Sequence, residues 1–213
     1  MHSLWSDEYW VLLMQLYQRK PVGVKPMYSR GMVDLSLELH IPPGCLYEQM
    51  FRLRRIDSPM IQRLWDRYGD NPRRLTRDAR QLRAMKAFST SGLFFDGVET
   101  VESFEKDFRP LPDRTDITPV MLIVILDLYF RLTPITMTDE TPEVVELAQL
   151  LKLKPSNVTE VMEIFQICDP YLKREAFVVS PLMCPCQDIW NRYGNDNPEA
   201  LAALAAQLKD YFK

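Results

Sequence analysis

Histidine is almost missing from this chain: His2 and His40 are the only two among 213 residues. Chemistry that needs clustered imidazoles has nothing to build on. Glycine is scarce as well, 7 residues against 16 prolines. That excludes glycine-rich phosphate loops and glycine-punctuated β-sandwiches. Long apolar runs are absent, the longest being the seven residues Val120 to Leu126, where a bilayer span needs about 20. The N-terminal stretch has no basic n-region and no cleavage-site pattern, so a cytoplasmic chain is expected, with no membrane partner. Its four cysteines, Cys45, Cys168, Cys184 and Cys186, read as reduced, mostly packed thiols. Cys184-Pro185-Cys186 has one intervening residue, not the two of a redox or zinc pair, so no metal and no cofactor are expected. Neither GxSxG, HExxH nor a paired acid face occurs, so no catalytic residues are assigned and the chain is expected not to be an enzyme. The 46% hydrophobic content excludes disorder and allows a sizeable core.

What is present is a repeat. Offset by 112 positions, Leu16-Tyr17 meets Leu128-Tyr129, and Leu35, Leu39, Leu46 and Met50 meet Leu147, Leu151, Val158 and Met162. Trp65-Asp66-Arg67-Tyr68-Gly69 returns 125 residues on as Trp190-Asn191-Arg192-Tyr193-Gly194, and Asn71-Pro72 returns as Asn197-Pro198. A duplication followed by one insertion of about 13 residues accounts for this pattern.

Both copies read as helices. Ser58-Pro59, Asn71-Pro72, Thr118-Pro119, Thr141-Pro142, Ser180-Pro181 and Asn197-Pro198 each pair an N-cap with proline at the first helical position. Five helices per copy are predicted, near 4–19, 29–40, 43–56, 59–68 and 72–87, then 119–132, 142–152, 155–168, 181–193 and 198–212. Pro185 should disturb the fourth helix of copy two, and Gly69 and Gly194 should be left-handed C-caps. The fold expected is all-α, with 1–88 a basic repeat, 89–116 an acidic, aromatic, proline-containing linker that packs through its phenylalanines with a short helix near 99–107, and 117–213 an acidic repeat.

In copy two, Ala148, Leu153, Pro155-Ser156, Val158 and Met162 fall where two helices would meet across a short turn. Ser36, Ile41, Pro43, Leu46 and Met50 do the same in copy one. This stretch resembles a helix-turn-helix, with His40 and Lys152 where the turn often has glycine. The resemblance implies that the third helix is free to enter a DNA groove. The stretch from Ile125 to Tyr129, the Glu146-Leu147-Ala148 helix and Cys168-Asp169-Pro170 are also similar to helical modules that precede HNH-type restriction endonuclease domains. With only His2 and His40 present, that likeness implies an accessory module without the nuclease.

The net charge of −3 is a sum of opposites: residues 1–86 carry +6 and residues 87–213 carry −9. A basic half of this kind suits an acidic partner. In copy one, Arg73, Arg77 and Arg80 share one face of the fifth helix, opposite Leu75, Ala79 and Leu82. Arg52, Arg54 and Arg55 lie on or beside the outer stripe of the third helix. Arginine forks suit phosphates and guanine edges, so these six are the candidate nucleic-acid contacts. Copy two has Ile164 and Ile167 where copy one has Arg52 and Arg55, and an alanine-rich fifth helix. Ile164, Ile167, Ala203 and Ala206 are therefore the candidate partner interface. The function expected is nucleic-acid-binding or regulatory, with repeat 1 on duplex DNA and repeat 2 docking to itself or to another protein. The alternative is a protein-interaction adaptor without nucleic-acid contact, its arginines solvated or covered by linker acids Glu99, Glu102, Glu105 and Asp107.

Overall fold

A computed structural model describes residues 5–89, 103–172 and 180–213, and within them the chain is all-helical with no strand. It divides into two compact units, Met1–Glu102 and Ser103–Lys213. Unit 1 holds α1 (Tyr9–Gln18), α2 (Arg30–Leu39), α3 (Pro43–Arg55), α4 (Pro59–Tyr68) and α5 (Pro72–Ser89). Unit 2 holds α6 (Ser103–Phe108), α7 (Pro119–Arg131), α8 (Pro142–Leu151), α9 (Pro155–Cys168), α10 (Met183–Tyr193) and α11 (Pro198–Leu208). Each of the ten stretches predicted to be helical contains a helix.

In unit 1, α1 is the central element. Trp10, Leu12, Leu13, Met14 and Leu16 are all buried, more than one face of a helix can hide against a single neighbour. All of α2, α3, α4 and α5 pack on it. α2 ends on His40, left-handed with φ 56°. The turn after it is closed by the Ile41 amide donating to the Ser36 carbonyl at 3.1 Å and by the Ser36 hydroxyl donating to the Ile41 carbonyl. Arg83 of α5 reaches Gln15 Oε1 of α1 at 2.9 Å and Glu38 Oε1 of α2 at 2.7 Å.

Unit 2 has α7 at its centre, buried at Val120 and continuously from Leu122 to Tyr129. Packed around it are α6, α8, α9, α10 and α11. α8 ends on Lys152, left-handed with φ 58°, and the Leu153 amide donates to the Ala148 carbonyl at 2.9 Å. Asp127, inside α7, is buried but paired with Arg131 at 2.8 Å and with Lys209 at 3.8 Å.

Three expectations need correction. Gly69 and Gly194 are not left-handed: their φ values are −52° and −66°. Glycine suits them because a Cβ would lie 2.7 Å from the carbonyl oxygen of Trp65 or Trp190. The second is the start of α10, which is Met183, two residues late. The Ser180 hydroxyl and carbonyl accept from Leu182 and Met183 in a turn instead. Pro185 then falls in the first helical turn, where its missing N–H costs nothing. Third, residues 103–116, read as part of a linker between the copies, group with unit 2, and α6 overlaps the short helix expected near 99–107. Of the linker acids, Glu99 and Glu102 lie outside the described residues.

Candidate nucleic-acid interface

α5 buries Leu75 and Ala79 against α1 and α4. At 100° per residue this turns Arg73, Arg77 and Arg80 to the opposite side, and all three are exposed. Arg73 and Arg80 meet no carboxylate among the described residues. Arg77 differs, its Nε donating to Asp78 Oδ1 at 3.1 Å with the side chain still 74% exposed.

α3 buries Leu46, Met50 and Leu53. Arg54 and Arg55 are exposed in its last turn, where cations also favour the helix dipole. Neither has an ionic partner among the described residues. Arg52 stands apart. It donates to Asp57 Oδ2 at 2.8 Å and to Gln49 Oε1 at 3.1 Å, and its guanidinium lies 5.8 Å from the Trp10 ring. Its donors are committed inside unit 1, so it is the weakest of the six candidates. α3 packs on α1 and α2 whereas α5 packs on α1 and α4, so each arginine set has its own support.

The interface candidates of unit 2 also separate. Ala203 and Ala206 are exposed on α11, Ile167 is half-buried, and Ile164 is only 2% exposed. Ile164 is therefore a core residue and is unavailable to a partner.

Sequence reasoning missed the role of Asp78. Its carboxylate sits among Arg67 at 3.5 Å, Arg74 at 3.9 Å and Arg77 at 3.1 Å, and accepts from the buried Tyr68 hydroxyl at 3.0 Å. The Tyr68 hydrogen bond, then the arginines, hold Asp78 below the ordinary carboxylate range, while burial pushes Tyr68 up. One acid inside an arginine stripe, four residues after Arg74, was the available signal. Beside this cluster a groove of about 400 Å³ opens between α1, α4 and α5, lined by Val11, Arg67, Leu82 and Met85 among others.

The two cysteines of Cys184-Pro185-Cys186 face different ways on α10, Cys184 exposed and Cys186 buried. Burial raises the Cys186 thiol far above its ordinary pKa. No group of three potential metal ligands occurs among the described residues, and no helix there is long and apolar enough to cross a membrane. Comparison with protein families, curated proteins and solved structures finds no match to this chain.

Proposed function

We propose that the chain is a non-enzymatic nucleic-acid-binding or regulatory protein of the cytoplasm, built on two duplicated five-helix repeats, α1–α5 and α7–α11. Unit 1 contacts duplex DNA and unit 2 serves docking or dimerisation. The observation that carries the DNA reading is the set Arg54, Arg55, Arg73 and Arg80, exposed and without carboxylate partners among the described residues. Phosphate contact by such guanidiniums supplies most of the affinity of a DNA-binding protein.

Equivalent features in the two units support the duplication. Leu35, Leu39, Leu46, Met50 and Leu53 are buried, and so are Leu147, Leu151, Val158, Met162 and Phe165, each 112 residues later. Ile61 and Cys186 match at 125, and Leu75 and Ala79 match Leu201 and Ala205 at 126. Tyr17 meets Trp65 edge to face at 5.7 Å, and Tyr129 meets Trp190 at 5.9 Å. Even the polar bridge recurs: Arg83 reaches Gln15, and Lys209, 126 residues on, reaches Asp127, 112 residues on. The left-handed residues His40 and Lys152 occupy the helix-turn-helix position that glycine usually takes.

The N-terminal turn of a recognition helix reads bases, but α3 begins Pro43-Gly44-Cys45 and carries its arginines at the other end. Binding is therefore phosphate-driven and weakly sequence-selective. The test is a shift assay of the full chain with random duplex DNA at low salt. Four phosphate contacts give a slope of log affinity on log salt of about −3.6, and reversal of all four arginines to Glu abolishes the shift. A slope near zero, or binding unaffected by the reversal, would reject it. The adaptor reading is favoured by one observation, that Arg52 and Arg77 are engaged by acids of their own unit. It predicts a defined complex indifferent to these reversals.

A further inference from the structure

We infer that the groove between α1, α4 and α5 is a docking site for a short acidic–aromatic segment of a partner protein, chemically like the one that α6 supplies within unit 2. The inference rests on the duplication register and is independent of DNA contact. In that register, Val11 corresponds to Ile123, Arg67-Tyr68 to Arg192-Tyr193, Leu82 to Leu208 and Met85 to Tyr211.

In unit 2 Ile123 and Leu208 are buried and Tyr211 half-buried, while Arg192 keeps 43% of its side chain exposed and is held by an acid. α6 packs on α7, the helix equivalent to α1. Asp107 of α6 grips Arg192 through two parallel bonds of 2.8 and 2.7 Å. Phe108 packs edge-on against Tyr211 with ring centroids 5.2 Å apart, and is itself only 8% exposed. A carboxylate on the arginine and an aromatic ring one residue later on the fifth-helix side thus define what this place in the fold accepts.

In unit 1 Arg67 and Met85 stand exposed and Val11 and Leu82 are half-buried, with Tyr68 buried beneath them. Met85 is 62% exposed and the Arg67 side chain 55%. The apolar floor persists as Val11 and Leu82, beside the Tyr68 hydroxyl. Charge favours the same class of occupant. Arg67, Arg74 and Arg77 share the carboxylate of Asp78, and among the described residues Glu8 is the one other acid lining the groove. The residue equivalent to Asp78 in unit 2 is Leu204. There the arginine takes its carboxylate from the docked segment, whereas in unit 1 Asp78 holds Arg67 at a looser 3.5 Å. An incoming Asp meets surplus positive charge, and the Phe beside it covers Leu82 and Met85. A partner segment in which Asp is followed by Phe, with further acids before it, fits both requirements.

The experiment adds a fluorescein-labelled peptide with the sequence of residues 103–111 to the full chain and follows anisotropy. Saturable binding is expected. Arg67→Glu with Met85→Glu weakens it by about tenfold or more, as does a peptide carrying Asn for Asp107 and Ala for Phe108. Arg73→Glu with Arg80→Glu, which tests DNA contact, leaves peptide affinity within about twofold because both arginines lie outside the groove. Circular dichroism verifies that each variant is folded. The proposal is overturned if the folded chain shows no saturable binding. It is also overturned if the groove variant binds as the parent does, for the peptide has then exchanged with α6 or bound elsewhere. Displacement of the peptide by duplex DNA would assign the groove to nucleic acid and overturn it likewise.

Discussion

The Trp65 indole Nε1 donates to the carbonyl of Leu53 at 2.9 Å. Leu53 lies in the last turn of α3, which ends at Arg55, so its carbonyl has no partner within the helix. Trp65 satisfies that group and at the same time meets the Tyr17 ring, tying α4 to α3 and α1. Trp65→Phe keeps much of the aromatic contact and removes the donor. It should cost about 1–2 kcal/mol, read as a lower urea midpoint by circular dichroism. An unchanged midpoint would mean that water replaces the indole at no cost.

Gly69→Ala and Gly194→Ala should both destabilise. The added methyl would approach a backbone carbonyl oxygen to 2.7 Å in each case, and backbone cannot swing aside as a side-chain tip can. A cost of roughly 1–3 kcal/mol is expected. Gly44→Ala is the control, since a Cβ there meets nothing within 4 Å and alanine is the better helix former. Thermal unfolding of the three variants separates the cases. Equal behaviour of all three would refute the steric account.

Much of this architecture is legible in the sequence. Thr118 accepts from the Met121 amide, Ser58 from Ile61 and Asn197 from Glu199, each followed by proline at the first helical position. Local chemistry of that kind is written in adjacent residues. The Gly69 and Gly194 conformations were not, because a glycine after a helix serves equally as a left-handed cap or as a place where a side chain would collide. Nor was the docking of α6: Arg192 and Asp107 are 85 residues apart, and no local pattern joins them. Ile164 misled for a related reason. An apolar residue where the other copy has Arg52 suits a partner surface or a deeper core, and only packing distinguishes them. Of the candidate contacts, outward-facing Arg73 and Arg80 followed from helical periodicity alone. The engagement of Arg52 by Asp57 and Gln49 did not, because the turn after α3 decides where Asp57 lies.

The three cysteines of unit 2 should report on it through their unequal reactivity. Cys184 is exposed, whereas Cys186 is fully buried and burial raises its pKa strongly. Burial raises Cys168 too. Thiolate is the reactive form, so iodoacetamide near pH 8 should modify Cys184 rapidly and Cys186 only as unit 2 opens. Peptide mapping of a time course checks this. Comparable rates at Cys184 and Cys186 in the folded chain would contradict the buried position on α10.

Acid should loosen the segment that precedes α7. Arg114 binds Asp116 through two bonds of 3.1 Å and Glu160 of α9 through bonds of 3.1 and 2.9 Å. Asn157 also donates to Asp116, at 3.1 Å. The hydrogen bonds from Arg114 lower the Asp116 pKa below its usual 3.8. A carboxylate with a depressed folded pKa stabilises fully above its unfolded value and loses that contribution as pH falls through the folded one. Stability should therefore hold down to about pH 4 and decline below it. Arg114→Met should flatten the part of that decline due to Asp116, and lower stability at neutral pH as well. Because the side chain of Asp116 is 44% exposed, solvent screening keeps the neutral-pH effect small, about 1 kcal/mol or less. Urea midpoints of parent and variant between pH 3 and 7 supply the comparison. Parallel curves would show that Asp116 does not depend on Arg114.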